Sequence, residues 1–158
     1  MLDTISKVIY TGDKEPIRKE LDWKWYMEGV HYIINELKKQ EITHIYGIPR
    51  GGNCIATSIS YIMNIPMLTN IKKVKKIDAD INLLIVDDIV DSGKTISKLL
   101  GKIDKYDNII NVTTTCLVYK QHTSVYKPNI SYLQVNEQID NPLYNRTWYV
   151  FPWERLSV

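Results

Sequence analysis

Between residues 83 and 95 the chain reads Leu83-Leu84-Ile85-Val86-Asp87-Asp88-Ile89-Val90-Asp91-Ser92-Gly93-Lys94-Thr95, and no other stretch constrains the fold as tightly. The four leading apolar residues predict a strand buried on both faces, as in a parallel sheet covered by helices. That strand ends on two adjacent carboxylates. A short turn follows, with a third carboxylate, a hydroxyl and a glycine, and then Ile96, Leu99, Leu100 and Ile103 recur at helical spacing. Strand, loop and helix N-terminus in that order form the repeating unit of an open α/β sheet, where ligands bind beyond the carboxyl ends of the strands.

The first N–H groups of a helix lack internal partners and sit at the positive end of its dipole, so they favour an anion such as phosphate. Ser92, Gly93, Lys94 and Thr95 offer those amides, two hydroxyls and a glycine that permits close approach. Asp87 and Asp88, a few residues earlier, suit sugar hydroxyls or the water shell of a cation. Together they read as a phosphosugar site. Gly93-Lys94-Thr95 imitates the end of a nucleotide P-loop, but that motif needs a glycine where this chain has Asp88. Taken alone, the acidic pair also fits a solvated strand end.

The whole string resembles the diphosphoribosyl-binding signature of the type I phosphoribosyltransferases, which transfer ribose 5-phosphate from 5-phosphoribosyl-1-diphosphate (PRPP) to a nitrogenous base. The resemblance implies an α/β fold with a central, mostly parallel sheet flanked by helices and a small C-terminal hood. It also implies that Asp87 and Asp88 hold the ribose 2- and 3-hydroxyls, near Mg²⁺ and through its water, while Asp91 to Thr95 wrap the 5-phosphate.

A chain of 158 residues is one domain's worth. We expect a single domain over 1–158, with a core at about 22–119 and a hood at about 120–158 to which 1–21 contributes. A net charge of +2 with both signs interspersed gives no bulk attraction for nucleic acid. Cys54 and Cys116 lack metal-ligand spacing and read as small core residues. No apolar run suggests a signal peptide or membrane span, so the expected compartment is the cytoplasm.

Along the chain, Val8-Ile9-Tyr10 predicts a short strand or arm packing on the C-terminal part. Trp23, Tyr26, Met27, Val30, Ile33, Ile34 and Leu37 share one helical face behind an Asp22 N-cap, with Trp25 off the stripe. A second strand, 44–48, delivers Pro49-Arg50-Gly51-Gly52 to a helix carrying Ile55, Ile59, Ile62 and Met63. Guanidinium binds phosphate oxygens bidentately, so this turn suits a diphosphate. An ordinary glycine turn with a surface arginine is the bland alternative. The turn resembles the family's pyrophosphate loop, which implies pyrophosphate binding by Arg50, Gly51 and Gly52.

Ile65 to Leu68 reads as a short strand whose proline suits an edge. Lys72, Lys73, Lys75 and Lys76 then form a basic loop, where the family carries a mobile lid; this one, over 70–82, is short and lacks a Ser-Tyr pair. Residues 109–119 predict a long strand delivering Lys120, and the remainder reads as irregular.

Lys120 and the ending Trp148-Tyr149-Val150-Phe151-Pro152-Trp153 resemble the hood of the small bacterial xanthine-guanine and hypoxanthine phosphoribosyltransferases. The implied base contacts are Lys120, Trp148 and Tyr149. Trp148 offers a stacking face and Lys120 a charged donor for a 6-oxo group, which disfavours adenine. Trp153 reads as aromatic core, and His122, beside the base site, is the one histidine placed to touch a ligand. Gln121 departs from the family's usual proline.

The function expected is purine salvage: a Mg²⁺-dependent transfer from PRPP to guanine, xanthine or hypoxanthine, with Asp91 as the catalytic group at purine N7. The family implies a homodimer or homotetramer acting on small molecules, without nucleic acid or membrane. A PRPP-sensing regulatory protein of the same fold, or a phosphoribosyltransferase for another base, is the alternative.

Overall fold

The computed structural model describes residues 7–9, 18–136 and 147–155. They fall into two compact units, one from the segments Met1–Gly29 and Glu137–Val158 and the other Val30–Asn136.

The second unit holds a four-stranded sheet in the order β3 (His44–Gly47), β4 (Ile81–Val90), β5 (Ile109–Lys120), β6 (Ile130–Val135), with every pairing parallel. Consecutive side chains of a strand face opposite ways. Leu83 and Ile85 of β4 therefore join a core with Ile96 and Ile103 of α3 (Lys94–Ile103), while the alternate residues Leu84 and Val86 are buried as well. Helix α2 (Gly51–Met63) packs against β3 and β4 through its buried Ile55, Ala56 and Ile59. A central strand covered on both sides explains the unbroken apolar run that the sequence shows.

Several expectations shift. β4 runs from Ile81 through the carboxylates to Val90, longer than the apolar run. The segment 65–68 forms only an isolated bridge between Ile45 and Met67, because its backbone bonds to β3 stop at Pro66 O and Leu68 N. Ile62 of α2 is exposed. β6 lies in the stretch read as irregular; it adds to the sheet beside β5, and residues up to Asn136 group with the sheet.

The lysine-rich segment contains a 3-10 helix over Ile71–Lys76, with Lys72 N donating to Asn70 Oδ1 at 2.9 Å. Val74 is fully buried in the core. Asn108 Nδ2 donates to both Val74 O and Ile77 O at 3.0 Å, so the segment is tied down from beneath while its lysines face outward.

In the first unit, β1 (Lys7–Ile9) pairs antiparallel with β2 (Arg18–Glu20), and β2 pairs in parallel with β7 (Trp148–Val150). β2 thus joins the C-terminal segment in a shared sheet, with β1 on its other side, and Tyr10 of the expected arm lies outside the described residues. Asp22 caps α1 (Trp23–Leu37), accepting from Trp25 N at 2.8 Å. Here the stripe needs correcting: Trp25 is buried, whereas Trp23 and Met27 are exposed. The first turns of α1 belong to this unit, so the later stripe of Val30, Ile33, Ile34 and Leu37 does not set their burial. Trp153 stacks on Phe151 at 4.9 Å and meets Tyr26 edge-on at 5.5 Å, an aromatic core cluster.

Candidate active site

Parallel pairing puts the carboxyl ends of β3, β4 and β5 on one edge of the sheet, with Gly47, the end of β3, level with Val86, and Val90, the end of β4, level with Tyr119. Two helices start at this edge, α2 after Arg50 and α3 after Gly93, and neither has a side-chain cap, in contrast to α1. Uncapped helix starts leave their amides to solvent or to a ligand.

The Arg50 turn lies directly over the acidic string. Its Pro49–Arg50 peptide is cis and Arg50 is exposed. A Cβ at Gly52 would collide with the Val86 carbonyl, so that glycine is required by close approach of two backbones, while a Cβ at Gly51 would meet the Asp88 carboxylate, a side chain. This brings the predicted diphosphate turn and the predicted ribose-binding pair into contact.

Asp87 is buried and Asp88 half-buried. Asp88 N donates to Asp87 Oδ1 at 3.1 Å and Ile89 N to Asp88 Oδ1 at 2.9 Å. Burial, with the Asp88 charge beside it, pushes the Asp87 carboxyl up to about 8. Burial and the nearby Asp88 also raise the Cys54 thiol, and burial raises that of Cys116. Cys116 is core, while Cys54 is only half-buried.

Asp87 lines a cavity of about 90 Å³ with Ile89, Val90, Asp91, Ser92, Gly93, Thr95 and Ile96. This cavity contains most of the predicted phosphate cradle. Gly93 has φ +72°, a conformation that favours glycine, and lies close under Ser124 and Tyr126. Lys94 and Thr95 are exposed at the start of α3.

The sequence did not reveal how the loop after β5 braces this turn. Thr123 Oγ1 donates to Asp91 Oδ1 at 2.8 Å and to Asp91 O at 3.0 Å, and Val125 N donates to Ser92 O at 3.0 Å. Lys120, buried at the end of β5, reaches Asp91 Oδ2 at 3.2 Å, while the Asp91 side chain is half-exposed. Residues 29 and 32 positions beyond Asp91 hold its carboxylate, a pairing no local pattern announces. His122 has both ring nitrogens buried with no hydrogen-bond partner among the described residues.

No family model matches the chain. A 48-residue stretch is 48% identical to the hypoxanthine phosphoribosyltransferase of Buchnera aphidicola, a match spanning 28% of this chain and 27% of that relative. Whole structures decide the fold. The purine phosphoribosyltransferase of Pyrococcus horikoshii superposes with a TM-score of 0.71 over 89% of this chain and 96% of that one, at 23% identity. The chain has a type I phosphoribosyltransferase fold. The xanthine-guanine-hypoxanthine phosphoribosyltransferase of Helicobacter pylori agrees, with a TM-score of 0.68 over 87% and 94% at 16% identity.

In this phosphoribosyltransferase fold the residues singled out from sequence separate into two sets. Arg50, Gly51, Gly52, Asp87, Asp88, Asp91 to Thr95 and Lys120 all belong to the sheet unit, at its carboxyl edge. Trp148 and Tyr149 belong to the other unit. There Trp148 is exposed at 59%, whereas Tyr149 is buried with Lys19 Nζ 5.6 Å from its ring centroid.

Mg²⁺ takes oxygen donors. No group of three or more metal-binding side chains occurs among the described residues. Two adjacent carboxylates remain, one of them raised by burial and by its neighbour's charge, a situation that a nearby cation relieves. Mg²⁺ commonly binds through one or two carboxylates while keeping waters and substrate phosphate oxygens, so Asp87 and Asp88 fit it. No helix among the described residues is long and apolar enough to cross a membrane.

Proposed function

We propose that the chain transfers ribose 5-phosphate from PRPP to a 6-oxopurine (guanine, xanthine or hypoxanthine), giving the nucleoside 5′-monophosphate and pyrophosphate in purine salvage. The observation that carries this reading is the Lys120–Asp91 pair, a cationic donor and a carboxylate acceptor 3.2 Å apart beside the phosphate cradle. A 6-oxopurine carries an acceptor at O6 next to N7, so one edge of the base engages both groups. The amino group of adenine would face a cation instead.

In this scheme the amides at the start of α3, with Ser92 and Thr95, hold the 5-phosphate. Asp87 and Asp88 accept the ribose hydroxyls, and Arg50 with the amides of Gly51 and Gly52 takes the diphosphate. Bound near Asp87 and Asp88, Mg²⁺ supplies charge neutralisation for the diphosphate. The base attacks the ribose carbon as pyrophosphate departs, and the protein orients the reactants and stabilises the charge that leaves. Asp91 takes the proton at purine N7, and Lys120 donates to O6. Trp148 supplies a stacking face and Tyr149 backbone contacts to the base. The working assembly is a homodimer or homotetramer in the cytoplasm.

The test is pyrophosphate release from PRPP and Mg²⁺ with guanine, hypoxanthine, xanthine, adenine, orotate and uracil in turn. Release with one or more 6-oxopurines and not with the others is expected. Silence with every base would sink the transferase reading, and turnover confined to adenine or a pyrimidine would sink the base assignment.

A further inference from the structure

The carboxylate of Asp91 is engaged on both oxygens before any base arrives. Lys120 Nζ lies 3.2 Å from Oδ2, and Thr123 Oγ1 donates to Oδ1 at 2.8 Å. These two partners differ in kind. Lys120 carries three N–H donors on a flexible stem, so it can turn toward an incoming O6 and still face the carboxylate. Thr123 has a single hydroxyl hydrogen on a short β-branched side chain, whose χ1 freedom is restricted. That hydroxyl lies within bonding distance of both the Oδ1 and the main-chain carbonyl of Asp91, at 2.8 and 3.0 Å. Its one hydrogen, shared between these two acceptors, links the carboxylate to the Asp91 backbone, and together with Lys120 on Oδ2 it restricts rotation of the carboxylate.

The loop carrying Thr123 is itself seated. Ser124 N donates to Lys120 O at 3.2 Å and Ser124 Oγ to Tyr126 O at 2.7 Å. Val125 N bonds Ser92 O, and the Tyr126 hydroxyl lies 3.0 Å from Thr114 Oγ1 inside the sheet. A half-exposed carboxylate with no such tether would sample several rotamers, and proton transfer depends on hydrogen-bond reach and direction.

We propose that Thr123 is a positioning residue for base activation. It holds Oδ1 so that Oδ2, the oxygen shared with Lys120, is presented to the purine N7–H. The inference rests on the phosphoribosyl-transfer reading above and adds to it a residue that never touches substrate. The proton passes from N7 to Asp91 Oδ2 as the bond from the base to the ribose carbon forms and the bond to pyrophosphate breaks, and Thr123 keeps its own proton throughout.

Thr123→Val removes the hydroxyl at nearly constant shape, and Thr123→Ser restores it. Steady-state kinetics of the full chain with PRPP, Mg²⁺ and the 6-oxopurine that wild type turns over best, with PRPP binding measured separately, test the role. The expected result is a kcat about tenfold lower in Thr123→Val, with PRPP affinity and melting temperature near wild type, and most of the loss recovered in Thr123→Ser. The proposal is overturned by an unchanged kcat in the valine variant, by a serine variant as slow as valine, or by PRPP affinity falling in step with kcat, which marks general damage to the turn. Wild type that releases no pyrophosphate with any base overturns the transfer reading as well. That outcome is distinct from an active wild type whose valine variant is equally active.

Discussion

Lys120 Nζ and Asp91 Oδ2 stand 3.2 Å apart at the ends of neighbouring parallel strands, the lysine buried and the carboxylate half-exposed. β4 and β5 create this relationship: Val90 is level with Tyr119, so the residues that follow them, Asp91 and Lys120, emerge at the same height. Two residues assigned separate tasks from sequence are one unit in the fold.

That pairing gives the first prediction. Asp91→Asn keeps the shape of the side chain and removes its charge and its ability to accept a proton. General-base contributions are of order 10²–10⁴ in rate, so kcat should fall about 100-fold or more while PRPP affinity holds within a few-fold. Turnover of the asparagine variant at the wild-type rate, at saturating substrates across the pH range, would show that Asp91 does not handle the base proton.

A pH dependence of stability follows from Asp87. Its carboxyl is raised from 3.8 to about 8, by burial first and then by Asp88. The native state therefore holds a proton that the unfolded chain releases, and stability falls as pH rises from about 4 through 8, where Asp87 must charge while buried. Each pKa unit corresponds to about 1.4 kcal/mol. Urea midpoints of the ligand-free protein at pH 5 and pH 8.5 should show the loss, and Asp87→Asn should flatten the slope. An identical slope in wild type and variant would assign it to other groups.

Gly93 is predicted to resist replacement for two reasons. Its φ of +72° disfavours any L side chain, and a Cβ there would lie 2.5 Å from Ser124 Oγ and 2.8 Å from Tyr126 N. Gly93→Ala should cost about 1–3 kcal/mol in chemical denaturation and weaken PRPP binding by opening the turn against its brace. A variant as stable as wild type would mean that the loop at 124–126 yields freely.

Anchoring of the lysine-rich segment is testable through Asn108. In Asn108→Ala the carbonyls of Val74 and Ile77 lose their side-chain donor, at a cost of about 1–3 kcal/mol. Hydrogen exchange should accelerate first at the amides of 71–77. Unchanged exchange there would show that burial of Val74 alone fixes the 3-10 helix.

The strand, turn and helix around Asp87 to Thr95 were legible in sequence because each signal is local: an apolar run, a glycine in the turn and a helical repeat. The Arg50 turn and the long strand ending at Lys120 were legible on the same terms. β6 was not. Its six residues mix polar and apolar side chains at the edge of the sheet, and only pairing with β5 makes them a strand. Trp25 misled because helical periodicity finds one buried stripe, whereas α1 changes surroundings between its first turns and Val30.

What the sequence determined by itself was the set of chemical groups and most of the local backbone that presents them: two helix starts, an acidic pair on a strand, an arginine turn and a lysine at the end of a strand. Tertiary structure decided which of them meet. Strand register placed Lys120 against Asp91, close packing of two turns set Gly51 against Asp88, and a loop about thirty residues away put Thr123 on the Asp91 carboxylate. Such contacts depend on register and loop closure across long separations, for which the chain carries no periodic signal.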